Sequence, residues 1–294
     1  MLKHLGVLII LSIALPALAI GQKATSALDT ANNAILWKIS AKNSAKASYI
    51  FGTMHQICPG DYVWTKAMQS SLEQSDAICF EMDLTDNNLQ MKVALGLMDQ
   101  SGKLLKDYFT ATEYKQIKAY FKDSLGLTIG LYENMKLIAV DMILSAKIAA
   151  CADAVSYEEK LMTWGREKNK HILGLEAAEE QIALLDKLPV DSIKSDILQC
   201  ITGHAAAKSV YTDMVALYKK QKLPELYQLL INSKELGESI DPLLGERNIK
   251  WIPKIESMTQ KEAVFIAVGC GHLWGAAGVL QLLKNDGYTV TPIK

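Results

Sequence analysis

The chain has no surplus of either charge. Its 31 Lys and Arg stand against 32 Asp and Glu among 294 residues, so no basic face is in excess and nucleic acid is not an expected partner. Arginine itself is scarce, with only Arg166 and Arg247. No G-x-S-x-G, H-E-x-x-H, Walker loop or Rossmann glycine fingerprint occurs, which leaves serine-hydrolase and nucleotide-binding readings without support. Low-complexity linkers and breaks in composition are also missing. Half of the residues are hydrophobic and 21% are charged, the make-up of a folded chain long enough for one sizeable core. One domain over residues 35–294 is expected, after a flexible lead at residues 20–34.

At the N-terminus, Lys3 precedes an apolar run from Leu5 broken only by Ser12 and Pro16, and Ala17-Leu18-Ala19 has the A-x-A pattern of a cleavage site. Residues 1–19 read as a secretory signal peptide, with an uncleaved anchor as the rival. No cysteine follows the run to take a lipid. Cleavage removes Lys3 and leaves a formal charge of -2. The expected location is periplasmic or secreted, with no stable membrane span once the signal is gone. An oxidising compartment permits pairing among Cys58, Cys79, Cys151, Cys200 and Cys270. Cys79 and Cys270 lie in apolar strand-like runs, the setting of buried thiols. Cys58 (ICPGD) and Cys151 (CADAVSYE) lie in polar, loop-like surroundings, so a Cys58–Cys151 bridge is favoured and Cys200 is the competing partner.

The apolar spacing predicts a hairpin of strands at residues 34–40 and 47–55, a helix within 61–75, and a strand at 77–84, giving a strand-helix-strand unit whose crossover joins parallel strands. A helical insertion follows at about 87–165, with a capping-box candidate at Thr110 and Glu113. Within it, residues 133–150 are strongly apolar. Lys136, Asp141 and Lys147 interrupt that stretch, and it is shorter than the roughly 20 residues a bilayer requires, so a buried core helix is expected. A strand at 171–176 and helices broken at Pro189 and Pro224 come next. Residues 241–258 form a further helix, and strand (264–272), helix (273–287) and strand (288–293) close the chain. The fold class is therefore α/β: a mostly parallel central sheet built from two strand-helix-strand half-units with a helical insertion.

The two half-units echo each other. YIFGTMH ends at His55 and VFIAVGCGH at His272, and each apolar strand finishes in G-x-x-H, more than 200 residues apart. In parallel α/β sheets ligands collect at the carboxyl ends of the strands. Four strand readings end in a polar group there: His55, Glu81, Glu176 and His272. The crossover would set His55 and Glu81 on neighbouring strands. Two imidazoles and a carboxylate form the ligand set of a metal site with an open position, and Gly52, Gly269 and Gly271 would let the backbone turn sharply at the strand ends. Asp83, alternating with Glu81, is a reserve ligand. The alternatives are structural: a hydrogen-bonded strand-end histidine, or Glu81 and Glu176 paired with one of the two arginines. His171 and His204 read as structural or surface residues.

These stretches, FGTMH, CFEMDL, CADAVSYEE, LGLEAAEEQIALLDKLP, GERNIKWIPKI and the block from residue 264 to 293, run in order through nearly the whole chain and resemble the TraB/GumN family, which includes the Tiki proteins and lies close to the erythromycin-esterase and ChaN-like fold. The resemblance implies an α/β fold and a metal-dependent peptidase, a hydrolase of peptide or protein substrates, with manganese, cobalt or zinc as the ion. The family's twin motifs fall on Gly52–His55 and Gly269–His272, its acidic positions on Glu81 and Glu176, and its Arg-Asn pair on Arg247 and Asn248. Fitted to that pattern, His55, Glu81 and His272 would hold the metal. Glu176 would be the general base or a partner orienting a ligand, Arg247 would stabilise an oxyanion beside Asn248, and Tyr157 would either bond to substrate or pack. Two rival functions remain at this point: a haem- or iron-binding module of ChaN-like type, and an esterase-like hydrolase that needs no metal.

Overall fold

The computed structural model describes residues 33–41, 46–149, 151, 153–232 and 240–294. The expected signal peptide lies outside the described residues, as does all of the lead except Asn33 and Ala34.

Six strands, β1 (Leu36–Ser40), β2 (Ser48–Thr53), β3 (Ala77–Met82), β4 (His171–Glu176), β5 (Val264–Gly269) and β6 (Thr289–Ile293), form one sheet in the order β4-β3-β5-β2-β1-β6. The pairs β3–β4, β3–β5 and β2–β5 are parallel, and β1 runs antiparallel to both β2 and β6. Every residue of β2, β3 and β5 is buried, which is why they read as near-continuous apolar runs rather than alternating ones. The edge strands β4 and β6 are only partly covered. Pro292 sits in β6, where its missing N–H costs no central ladder bond. Phe51 of β2 and Phe265 of β5 pack at 5.8 Å between ring centroids, and burying side chains of this size contributes roughly 1.5–3 kcal/mol each.

The mostly parallel α/β sheet is as expected, but one adjacency is not. β5 enters between β2 and β3, so the strands preceding His55 and carrying Glu81 are not neighbours. Hydrophobic pattern gives each strand's burial and says nothing about which strand lies beside it.

Eleven helices occur among the described residues: α1 (Lys66–Glu73), α2 (Leu89–Gly96), α3 (Ala111–Asp123), α4 (Leu137–Ala149), α5 (Tyr157–Glu167), α6 (Ala178–Leu185), α7 (Val190–Thr202), α8 (His204–Lys219), α9 (Leu223–Asn232), α10 (Ile240–Thr259) and α11 (Val279–Asn285). The Thr110–Glu113 capping box opens α3, with Thr110 N donating to Glu113 Oε2 at 2.8 Å and Glu113 N to Thr110 Oγ1 at 3.3 Å. The helical stretch is interrupted beside both prolines, as expected: Pro189 is the N-cap of α7, and Pro224 lies in the first turn of α9, just after the break that follows Lys219, where its absent N–H would have had no partner anyway. The last helix begins later than expected, at Val279, because the chain from Trp274 to Gly278 turns through Gly275 at φ 97°.

The chain divides into two compact units. One consists of Asn87–Asp153 with Ala178–Asp213 and is helical. Its α4 buries Leu137, Ile138, Ala139, Val140 and Leu144, the all-round apolar pattern of a core helix. Among the described residues no helix is long and apolar enough to cross a membrane. The other unit holds the whole sheet and includes Ala154–Ala177 and Met214–Lys294. Cys58 and Cys151 are disulfide-bonded, as expected, and Cys79, Cys200 and Cys270 lie outside the bridge.

Candidate active site at the carboxyl edge of the sheet

The parallel strands end level with one another. Thr53 is in register with Gly269, Phe80 with Ala267, and Met82 with Glu176. His55 follows β2 by two residues, Glu81 is the penultimate residue of β3, Glu176 closes β4, and His272 ends a 3-10 turn directly after β5. α10 adds Arg247, Asn248 and Trp251, with Arg247 and Trp251 one turn apart on the same face.

Gly269 marks the centre. A Cβ there would stand 3.2 Å from Glu81 Oε1, 3.4 Å from His55 Nε2 and 3.8 Å from His272 Cδ2. The two imidazoles and Glu81 thus converge on one spot, and a side chain would fill it. The Gly269 N–H donates to Glu81 Oε1 at 2.7 Å. Gly52 serves packing instead: a Cβ there would lie 2.7 Å from Leu273 Cδ1 and 3.1 Å from Cys270 Cα. Among the described residues the positive-φ glycines are Gly102, Gly126, Gly275 and Gly287, so the motif glycines supply clearance and not the sharp turn assigned to them from sequence.

Arg247 is almost fully buried and spends its donors inside the cluster. Nε donates to Glu176 Oε1 at 3.0 Å, Nη1 to His272 Nε2 at 3.0 Å, and Nη2 to Glu81 Oε2 at 2.6 Å and also to Glu176. Burial opposes its charge, but Glu81 and Glu176 beside it hold its pKa above the ordinary value. Trp251 Nε1 donates to Glu176 Oε2 at 3.3 Å, and its indole lies under both the guanidinium, at 4.8 Å, and the His272 ring, at 4.4 Å. The ion pair open to Glu81 and Glu176 from sequence is therefore present, with Arg247 as the partner of both.

His272 accepts from Arg247 at Nε2, so its proton is on Nδ1, which donates to Asn248 Oδ1 at 2.7 Å. The Asn248 amide donates in turn to the carbonyls of His272 and Ala277 at 3.1 and 2.8 Å. Burial pushes the pKa of His272 down to about 3, and the Arg247 charge acts in the same direction against the pull of Glu81. At His55 the balance is opposite. Burial again lowers the pKa, but Glu158, within 3.2 Å of Nδ1, raises it to about 9, with help from Glu81. For Glu81, burial is outweighed by His272, Arg247, His55 and the Gly269 N–H, and its carboxyl is held well below the usual range.

Two neutral-capable imidazole nitrogens and a carboxylate suit a borderline divalent ion, and each histidine has its other nitrogen bonded to a carbonyl or carboxylate oxygen, as metal-binding histidines commonly do. The donor chemistry fits. Among the described residues, however, no three His, Cys, Asp or Glu side chains are drawn together tightly enough to hold an ion; the Arg247 guanidinium bonds to both Glu81 and His272, which stand 3.8 Å apart.

Tyr157 is buried away from these donors. Its hydroxyl donates to Val63 O at 2.9 Å and accepts from Val63 N at 2.8 Å, and its ring stacks on Tyr62 at 4.4 Å. Asp83 is exposed and bonds to Thr85. His171 is exposed against Glu262; the His204 side chain and His4 lie outside the described residues. Glu158, Thr53 and Trp251 belong to the site and are missed by sequence reasoning. Glu158 and Trp251 lie within stretches that carry the family resemblance, but no spacing rule separates them from their neighbours.

A parallel α/β sheet with a buried carboxylate-arginine-histidine cluster at its carboxyl edge defines the class. The model of the TraB/PrgY/gumN family matches residues 35–292, and the chain belongs to that family. It is similar to Metalloprotease TIKI2 of Danio rerio, 22% identical over 315 residues, covering 88% of this chain and 60% of that protein. It is also similar to the Metalloprotease TIKI homolog of Amphimedon queenslandica, 23% identical over 350 residues with 96% and 66% covered, and to the uncharacterized protein YbaP of Escherichia coli, 24% identical over 177 residues with 58% and 65% covered. The chain thus spans about three-fifths to two-thirds of the length of these curated relatives. No solved structure matches it.

Proposed function

We propose that the protein is a metal-dependent hydrolase of the periplasm or the cell exterior, a peptidase acting on peptide or protein substrates, in which His55, Glu81 and His272 hold a divalent manganese, cobalt or zinc ion. The carrying observation is the convergence of His55 Nε2, Glu81 Oε1 and the His272 ring on the Gly269 backbone. Bound there, the ion supplies a water ionised near neutral pH and a Lewis acid for a carbonyl oxygen. The metalloprotease names of the TIKI relatives support a peptide substrate, and the Cys58–Cys151 bridge suits an oxidising compartment.

The chain's own residues have distinct tasks. Asn248 keeps the proton of His272 on Nδ1 and leaves Nε2 with a lone pair. Glu81 and Glu176 place two negative charges against the single guanidinium of Arg247, so this buried group carries a net negative charge that favours a further cation. Glu176, engaged by Arg247 and Trp251, orients the cluster rather than moving protons. Arg247 Nη1, released from His272, becomes a donor for a developing oxyanion.

The test is cleavage of a mixed peptide library after treatment with a chelator. Activity should vanish and return with Mn²⁺ or Co²⁺, and His55→Ala and His272→Ala should stay folded but take up no metal. Equal metal content in variants and wild type, by elemental analysis, overturns the ligand assignment. Cleavage that survives the chelator overturns the metal and favours a metal-free hydrolase.

A further inference from the structure

We infer that Glu158 is a positioning residue: it fixes which nitrogen of His55 faces the site, and so turns a rim histidine into a ligand. The inference rests on the metal-binding reading above.

Glu158 lies in the first turn of α5, where the helix N-terminus favours a carboxylate. Both of its oxygens are anchored by hydroxyl groups. Ser156, the N-cap of α5, donates to Oε2 at 2.8 Å, and Thr53, the last residue of β2, donates to Oε1 at 2.7 Å. The same Oε1 stands 3.2 Å from His55 Nδ1. The carboxylate is thus tied to the strand end and the helix cap by two bonds that do not involve His55, and it waits as a fixed acceptor. An ionised carboxylate has no proton to give, so Nδ1 must be the donor. The opposite nitrogen, Nε2, is then directed at the Gly269 position beside Glu81 Oε1. A free neutral imidazole prefers its proton on Nε2. Once His55 has lost its charge, which the Glu158 carboxylate delays to about pH 9, the proton that remains is held on Nδ1 and Nε2 carries the lone pair. Without Glu158 the neutral ring would present an N–H to the centre, where a lone pair is required.

The experiment uses the full chain as wild type, Glu158→Gln and Glu158→Ala, with two readouts. Imidazole ¹⁵N shifts, taken above the pH at which His55 loses its charge, report the tautomer in metal-free protein. Visible absorption of added Co²⁺ reports affinity. In wild type and in Glu158→Gln, whose amide oxygen still accepts, the proton should sit on Nδ1. In Glu158→Ala it should move to Nε2, with Co²⁺ binding, compared at that same pH where His55 is neutral in both proteins, about 10–100-fold weaker. Should the alanine variant fail to fold, Thr53→Val, which loosens the carboxylate without touching the imidazole, should show the same tautomer shift in part. An unchanged tautomer and unchanged Co²⁺ affinity in Glu158→Ala overturn the inference. If wild type binds no Co²⁺ at all, the metal reading fails, and the ¹⁵N shifts alone decide whether Glu158 sets the tautomer of His55.

Discussion

His55 and His272 close the same four-residue motif at the ends of adjacent parallel strands, yet they live in opposite electrostatic settings. The His55 side chain keeps 25% of its surface exposed and faces a carboxylate, whereas His272 keeps 4%, faces the neutral amide of Asn248 and accepts from a guanidinium. Burial disfavours charge on both. Glu158 reverses that at His55 and takes its pKa to about 9, while at His272 the pull of Glu81 does not overcome burial and the Arg247 charge, and the ring stays neutral down to about 3. A repeated motif therefore delivers the ring, and its burial together with the charges packed around it decides its protonation.

The largest way to break this contrast is to remove the cation beside His272. Arg247→Ala leaves Glu81 and Glu176 buried without their counter-charge and should destabilise the fold by about 3–5 kcal/mol in urea unfolding. Added Co²⁺ should recover part of the loss. Recovery absent in a variant that still binds Co²⁺ would show that the ion does not take over the charge balance.

The two motif glycines sharpen the same comparison. Gly52→Ala places a methyl 3.1 Å from the Cys270 backbone and should cost about 1–3 kcal/mol of stability, as overpacking does. Gly269→Ala meets Glu81 Oε1 and His55 Nε2 at 3.2 and 3.4 Å, so its expected signature is loss of metal uptake out of proportion to the change in melting temperature. Equal effects of both on metal and stability would refute the division of labour.

The mildest change makes the two histidines alike. Asn248→Asp gives His272 a carboxylate partner and should raise its pKa from about 3, read by NMR titration. The sign in stability follows. In wild type the unfolded chain protonates this histidine below 6.5 while the folded chain refuses until about 3, so stability falls as pH drops through that window. The variant should flatten that fall. An unchanged acid limb would mean that His272 does not contribute to it.

Much of the site was legible before the fold. The strand-end positions of His55, Glu81, Glu176 and His272 follow from apolar runs ending in polar groups, and with only two arginines in the chain the partner of a buried carboxylate was already narrowed to a pair. The Cys58–Cys151 bridge followed from loop-like surroundings. Other features had no local signal. Glu158 is one of two adjacent glutamates in α5, and only the approach of α5 to the end of β2 distinguishes it from Glu159. The insertion of β5 between β2 and β3 is equally silent, because fully buried strands look alike whichever neighbour they pair with. The motif glycines were recognisable as necessary but for the wrong reason, since clearance depends on what arrives from elsewhere in the chain.

Local chemistry and periodicity were enough to set the strands, the helices, the polar groups at the strand ends and the two loop cysteines, because these depend on near neighbours in the chain. Assembly alone chose the pairings: Arg247 with both glutamates, Asn248 with one imidazole and Glu158 with the other. Those contacts join residues up to 166 positions apart, and the charge of each histidine is a property of the environment they close around it.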